Sequence, residues 1–235
     1  MTLKRSDLVS HVTLNLGNRN NLSTYILTWV NWAIQDTASV FNWRSMKKLL
    51  DQLRTESGKV WYPMPANIKD ITDVSIIDGS STISLTYKPP DVFRKQFPHP
   101  EEDGNQTPVY YTWEGEYLRF YPLCDDDNLP IYIMAALWPE ELTTDNDALC
   151  PLPKLEQEII SRATYIGAKA TGDTIKMRTF SPDSWLRGIG RIARVDGHPS
   201  DWTPQYASER VTRDYRTGEF RVPPLGRSTL QTINV

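Results

Sequence analysis

The chain has 235 residues, of which 39% are apolar, and it includes 8 Trp and 11 Tyr. This length allows one domain with appendages, or two small domains, and it is sufficient to bury a core. The formal net charge of −3 and the pI of about 5.7 lack the basic footprint of a dedicated nucleic-acid reader.

Charge is unevenly spread along the chain. Residues 1–100 have a balance of +4, residues 101–150 carry 1 basic and 12 acidic side chains, and residues 151–195 again have +4. Blocks of opposite sign are able to orient two copies that meet through different faces, as in a ring. The alternative is the ordinary solvated surface of a mixed-charge domain.

The two cysteines, Cys124 and Cys150, are too few for a secreted disulfide framework. We expect each to be a small buried apolar residue. No apolar signal region follows Met1, and no run approaches the roughly 20 apolar residues of a membrane span. These observations favour a soluble protein made in a reducing cytoplasm.

Two helices are predicted at the start of the chain. Ser6 is a candidate cap for the first, which runs to about Leu16, and Gly17 suits the left-handed position that closes a helix. The second starts near Asn20–Ser23. Apolar residues at spacings of three and four give it one broad face: Leu22, Ile26, Trp29, Val30, Ala33, Thr37 and Phe41.

Between about Arg44 and Leu137 the pattern changes to strands and tight turns. Asp78-Gly79-Ser80 and Glu114-Gly115 are both typical of hairpin turns. The predicted elements are strands over 71–77, 82–87, 109–113, 117–121 and 129–137, with a short helix over 91–97. This pattern predicts a compact antiparallel unit, a small sandwich or barrel.

The pattern becomes helical again after Pro151. One helix is predicted over 151–171, with Gly172 just past its end, and another over 182–195. Beyond Gly197 the chain is polar and irregular and carries several prolines. A tail of this kind has no core of its own, so it is either disordered or ordered by a partner.

The sequence contains no recognisable catalytic equipment. Its histidines, His11, His99 and His198, belong to no known catalytic or metal-binding motif. Gly188-Ile189-Gly190 is better read as a helical glycine pair that permits close packing than as part of a dinucleotide site. The acidic clusters at 101–103, 125–127 and 145–147 read as solvated loops. We therefore predict a protein that is not an enzyme and has no cofactor and no metal.

One charged pattern stands out on the last predicted helix. Arg187, Arg191 and Arg194 form a single stripe, opposite the apolar face of the helix. Three more basic residues lie just upstream: Lys169, Lys176 and Arg178. This pattern indicates contact with DNA phosphates or with an acidic partner, and the alternative is an ordinary solvated helix face.

Taken in order, these elements resemble the head-to-tail connector adaptors of tailed bacteriophages, the tail-tubular-protein-A-like group of short-tailed phages. The resemblance covers roughly residues 1–170. It rests on LGNR (16–19), WVNWAIQDTASVFNW (29–43), GKVWYPMP (58–65), PVYYTWEGEYLRFYP (108–122), and the long helix that opens at Pro151.

The elements predict an α+β fold in three parts. These are a bundle of about four helices (1–43 and 151–195), an inserted antiparallel β sandwich or barrel (44–150), and an extended C-terminal arm (196–235). The resemblance implies a ring, usually of twelve copies, that joins the portal to the tail nozzle or tail. It further implies a component of the virion neck, assembled in the host cytoplasm, that lines the DNA exit channel without contacting membrane.

Exposed aromatic residues are the candidate contacts within such a particle. Tyr25 and Trp32 flank the packing face of the second helix and are the candidates for the neighbouring subunit. The arm carries four aromatic candidates for docking on the portal: Trp202, Tyr206, Tyr215 and Phe220. Two alternatives stay open, another phage neck or tail-completion protein and, less favoured, a small enzyme with an unrecognised site.

We hypothesise that the arm is disordered in the free subunit and becomes ordered on the portal, and proteolysis tests this hypothesis. Because residues 196–235 have no core of their own, we expect limited protease digestion of the isolated protein to remove them before it cuts the rest. Mass spectrometry of the surviving fragment measures the cut sites. An arm that resists digestion as well as the core does would contradict the hypothesis.

Overall fold

A computed structural model describes residues 2–79, 81–143, 145 and 147–196, together with the backbone of two short strands further along. The helices are α1 (Arg5–Asn15), α2 (Ser23–Val40), α3 (Pro90–Gln96), α4 (Glu156–Thr171), α5 (Thr174–Thr179) and α6 (Pro182–Asp196). The strands are β1 (Lys47–Arg54), β2 (Tyr62–Pro63), β3 (Ile68–Asp78), β4 (Ser81–Ser84), β5 (Thr86–Tyr87), β6 (Tyr110–Glu114), β7 (Tyr117–Tyr121), β8 (Pro130–Leu137), β9 (Thr212–Arg213) and β10 (Phe220–Arg221). The fold class is α+β, which confirms the prediction.

The first two helices lie close to their predicted positions. Helix α1 begins two residues earlier than a cap at Ser6 would place it. Lys4 is the cap residue, and the Asp7 side chain accepts a hydrogen bond from the Lys4 amide at 3.1 Å. Gly17 follows α1 with φ of 84°, the left-handed conformation expected of it. Helix α2 buries the face that its periodicity predicts, and it ends where Phe41 becomes extended.

Helix α4 begins later than the sequence indicates. Residues 151–155 precede it as an irregular segment, in which Lys154 has φ of 72°. Leu152 and Leu155 are nonetheless buried, so their apolar spacing reflects packing of a loop and not a helical turn. The other end agrees with the prediction, since Gly172 closes α4 at φ of 72°.

The helices share one apolar core. Helices α2 and α4 are antiparallel, because Arg162 lies beside Asp36 whereas Gly167 lies beside Trp29. Helix α1 packs on both, and α6 packs on α4. Each fully buried Leu, Ile or Val side chain in such a core contributes about 1.5–3 kcal/mol, so this core is the main source of helix stability.

The β strands form two four-stranded sheets, with strand orders β1-β8-β3-β4 and β2-β7-β6-β5. Both predicted hairpins are present, β3–β4 and β6–β7. Each sheet has two different edge strands, so neither closes into a barrel within the described part of the chain. The inner faces of both sheets contribute to a second apolar core, which includes Val74, Phe120 and Ile133.

One strand pair departs from the antiparallel prediction. Strand β5 pairs with β6 in parallel. The chain passes from one sheet to the other at Leu85, and α3 then lies in the crossover that a parallel connection requires. The two-residue length of β5 explains why alternation in the sequence did not reveal the change of sheet.

Two helical glycines offer a matched test of the helix packing. A Cβ on Gly167 would lie 2.8 Å from Leu16 Cδ1 and from two ring carbons of Trp29, whereas a Cβ on Gly190 would meet no atom within 4 Å. We expect Gly167→Ala to destabilise the fold by about 1–2 kcal/mol, because overpacking outweighs the gain in helix propensity. Gly190→Ala should stabilise it by up to about 1 kcal/mol.

Urea denaturation of both variants measures these free energies of unfolding. Equal effects of the two substitutions would show that α4 does not approach Trp29 as closely as described.

Candidate interaction surfaces

The arginine stripe lies on α6, a helix that packs against the helical core. Pro182 and Asp183 occupy its first turn, and the Ser184 hydroxyl donates a hydrogen bond to the Ser181 carbonyl at 2.8 Å. The opposite face buries Trp185, Ile189 and Ala193 in the helical core. The predicted division of α6 into an apolar face and a basic face is therefore present in the structure.

Gly188 allows α6 to lie close to α4. A Cβ at this position would fall 2.1 Å from Oε1 of Glu158, so the carboxylate of Glu158 occupies the space above the glycine. Burial raises the pKa of the Glu158 carboxyl, and the charge of Arg191 acts in the opposite direction. Of the two glycines in the predicted close-packing pair, Gly188 makes the close approach and Gly190 does not.

Arg187, Arg191 and Arg194 are exposed along one side of α6, and we call this surface the arginine face. None of the three forms an ion pair with any residue that the structure describes. Leu186 and Val195 are also exposed on α6, at 46% and 81%. The arginine face thus combines unpaired positive charge with accessible apolar surface.

The other three predicted basic residues lie elsewhere. Lys169 is exposed in the last turn of α4, about 16 Å along the helix from Glu158 at a rise of roughly 1.5 Å per residue. Lys176 is half-buried and pairs with Asp173 at 3.4 Å, while Arg178 is exposed on α5. The six basic residues therefore form two separate groups at different ends of α4.

Tyr25 and Trp32 are both well exposed on α2, at 59% and 55%. The ring of Tyr25 stacks on the buried ring of Trp29, with centroids 6.2 Å apart. On the neighbouring side of α2, Asp36 accepts a hydrogen bond from Nε of Arg162 at 2.8 Å. The Arg162 guanidinium also lies 4.7 Å from the Trp185 ring, so it connects α2, α4 and α6.

Asn31 holds Leu142 and the neighbouring acidic residue Glu141 against α2, a role that the sequence analysis did not identify. Its side-chain amide donates to the Leu142 carbonyl and accepts from the Leu142 amide, both at 3.0 Å. Gln35 donates to the Pro139 carbonyl at 3.0 Å. The sequence did contain one signal of this role. An asparagine in the middle of a helix, here between Trp29 and Trp32, usually has a specific hydrogen-bond partner.

Lys69 on β3 joins the β sheets to the helices, and nothing in its local sequence indicated this. Its ammonium donates to the carbonyls of Ala38, Phe41 and Ser39 at 2.6, 3.0 and 3.4 Å, at the C-terminal end of α2. These carbonyls carry the partial negative charge of the helix end. Burial lowers the pKa of the ammonium, and Asp70 acts in the opposite direction.

A further aromatic surface lies on the second sheet. Trp61 and Tyr117 are exposed and meet edge to face, with ring centroids 5.8 Å apart. The Arg119 guanidinium lies 4.2 Å from the Trp61 ring and orients it by a cation–π contact. Both aromatic residues belong to segments that carry the family resemblance, but their exposure depends on the pairing of β2 with β7.

The predicted contacts of the arm cannot be placed in the same way. Trp202, Tyr206 and Tyr215 lie outside the described residues, and so does the side chain of Phe220. His198 falls in the same region, whereas Asp196, the predicted first residue of the arm, is the last residue of α6.

The described residues contain little that suits catalysis. Cys124 and Cys150 are free and buried, as predicted, and burial raises the pKa of the Cys150 thiol to about 11. No group of three or more His, Cys, Asp or Glu side chains in this part of the chain is arranged to hold a metal ion. No helix of the same part is both long and apolar enough to cross a membrane.

Two clefts lie beside Ser45, where the helices meet the first sheet. Their volumes are about 270 and 170 Å³, below the range of roughly 300–1,000 Å³ that small-molecule sites occupy. Their linings mix apolar residues with charges, Lys48 and Glu140 in the larger cleft and Arg44, Lys154 and Asp196 in the smaller one. Protein–protein contact suits these surfaces better than small-molecule chemistry.

A protein-family model described as SU10 adaptor protein matches residues 1–176 of the chain. The matched region contains α1, α2, α4 and both four-stranded sheets. No curated protein matches this chain.

The Lys69 contact yields a test of how the two cores are joined. Lys69→Met keeps the aliphatic stem and removes three hydrogen bonds to helix-end carbonyls, so we expect a loss of about 1–3 kcal/mol of unfolding free energy. Lys48→Met, at an exposed position on β1, is the matched control and should change stability by less than about 0.5 kcal/mol. Guanidinium denaturation measures both, and similar effects would show that Lys69 is not a structural link.

Proposed function

The chain belongs to the SU10 adaptor protein family and is a phage adaptor protein, and we propose that it forms the ring that joins the portal to the tail. The observation that carries this proposal is the family match, which covers 176 of the 235 residues. We further propose that the ring contains twelve copies and that the genome leaves the head through its lumen. The distal side of the ring would then receive the tail nozzle or another tail protein.

The three predicted parts have separate places in this proposal. The helical part, 1–43 and 151–195, forms the ring wall, and the β part, 44–150, lies at its periphery or distal side. Two distinct apolar cores, one helical and one between the sheets, support this division. The arm, 196–235, reaches the portal and buries Trp202, Tyr206, Tyr215 and Phe220 there.

Exposed aromatic side chains support contact between subunits through the helical part. Trp32 and Tyr25 place two large rings on one side of α2, seven residues apart, which spans about 10 Å of helix surface. Large aromatic side chains are enriched at protein interfaces because they bury much area with few rotatable bonds. We propose that these rings pack against the neighbouring subunit.

In the proposed ring, the basic residues of α4, α5 and α6 contact negatively charged surfaces. The phosphates of the passing genome form one such surface, and contact with them would be independent of DNA sequence. An acidic protein surface supplies the other. The separation of Lys169, Lys176 and Arg178 from the arginine face permits the two groups to serve different partners.

Electron microscopy of the purified full chain, alone and with the portal of the same phage, tests the proposal. We expect closed rings of twelvefold symmetry whose helical parts form the inner wall. Images in which the chain stays monomeric with the portal present, or binds it at a site away from the tail-facing end, would contradict the proposed function.

A substitution series tests the role of α2 in the same assembly. Trp32→Ala should raise the concentration needed for ring formation by about tenfold or more, because an interface tryptophan contributes at least about 1.4 kcal/mol. Tyr87→Ala, which removes an equally exposed ring from the β part, is the matched control and should assemble as the wild type does. Mass photometry across a dilution series gives both midpoints.

A further inference from the structure

We propose that the arginine face of α6 in one subunit binds the acidic residues Glu140, Glu141 and Asp145 of the next copy of the chain, which we call the acidic loop. This inference rests on the proposed ring and names the two surfaces that meet in it. The acidic loop contributes Glu140, Glu141 and Asp145, all of which are exposed.

The composition of the arginine face favours a protein partner over DNA. Leu186 and Val195 are exposed beside the three arginines, whereas contacts to a sugar-phosphate backbone are made mainly by charged and polar groups. The whole chain carries a net charge of −3, which opposes approach to DNA. Arginine beside accessible aliphatic surface is typical of protein interfaces.

The acidic loop has the matching property of unpaired negative charge. Neither Glu140 nor Glu141 forms an ion pair with a described residue, whereas Asp147 is already paired with Lys4 at 2.7 Å. Asn31 and the burial of Leu142 anchor the chain next to Glu141. A segment anchored in this way loses less conformational entropy when it docks, which favours its use as a binding surface.

The two surfaces lie on different sides of α2, as a head-to-tail contact requires. Asn31 lies on the side of α2 that contacts Leu142 of the acidic loop. Asp36 lies on the side that contacts Arg162, which in turn contacts Trp185 of α6. At about 100° per residue these two positions are about 140° apart around the helix. Trp32 and Tyr25 fall between them, so the exposed rings lie in the space between the two charged surfaces.

This arrangement makes the contact heterologous. The surface that one copy offers differs from the surface that it receives, so copies joined in this way continue around a ring instead of stopping at a dimer. Exposed ion pairs add little affinity singly, so we assign orientation to the charges and most of the affinity to the apolar residues beside them. Leu186, Val195 and Trp32 are the apolar residues available for that role.

A charge-reversal series of the full chain tests the pairing. The first variant combines Arg187→Glu, Arg191→Glu and Arg194→Glu, the second combines Glu140→Arg and Glu141→Arg, and the third carries all five substitutions. Each of the first two should raise the midpoint concentration for assembly by about tenfold or more, since attraction becomes repulsion. The third restores attraction with the signs exchanged and should return towards the wild-type midpoint.

Sedimentation velocity over a concentration series measures these midpoints, and circular dichroism confirms that each variant is folded. The matched control is Glu101→Arg with Glu102→Arg, which reverses two exposed acidic residues of the β part and should leave assembly unchanged. Recovery in the five-substitution variant cannot come from general loss of folding.

The outcomes separate this inference from the proposed function. Rings that form equally well in all variants, or a five-substitution variant no better than the weaker parent, would overturn the pairing and leave the ring intact. A wild-type chain that forms no ring, even with the portal, would overturn both. If the arginine variant assembles normally but no longer binds a fluorescent DNA duplex, the arginine face is a DNA-binding surface and the proposed pairing is wrong.

Discussion

The contact between Trp29 and Gly167 sets the geometry on which the rest of the helical part depends. The absence of a side chain at Gly167 lets the indole ring lie against the backbone of α4, and this closeness fixes the spacing of α2 and α4. Helix α1 packs across both helices, and α6 packs on the far side of α4. A change in the α2–α4 spacing would therefore shift the arginine face relative to the exposed rings of α2.

Several polar contacts at the end of α2 help to attach the β sheets to the helices. Lys69 satisfies three carbonyls there, and the Asn42 amide donates to Asp70 at 2.6 Å. Asp196, the last residue of α6, accepts a hydrogen bond from the Arg44 amide at 3.0 Å close by. Three segments that are distant in sequence therefore meet at one place, where these polar contacts add to the packing of Met46 and Ala136 in the helical core.

Features with a local cause could be predicted from the sequence. The faces of α2 and α6, both hairpins and the glycine closures of α1 and α4 follow from periodicity or from backbone preference alone. The arginine face was predictable as a stripe for the same reason. Its unpaired state was not, because it depends on what the other helices bring near it.

Features with a long-range cause could not be predicted. The parallel pairing of β5 with β6 depends on the passage of the chain from one sheet to the other at Leu85. The late start of α4 depends on the packing of Leu152 and Leu155, which are buried in a loop. The short helix α5 has too few residues to show a period. Asn31 and Lys69 bind backbone groups more than 25 positions away, and no local pattern encodes such contacts.

The burial of both cysteines has a consequence for the life of the particle outside the cell. A phage adaptor protein is a component of the virion, and a released virion persists in aerated medium, where accessible thiolates are oxidised. Cys124 and Cys150 are buried, and burial raises the pKa of each thiol, which disfavours the reactive thiolate. Burial therefore protects both thiols from the oxidants that a released particle meets.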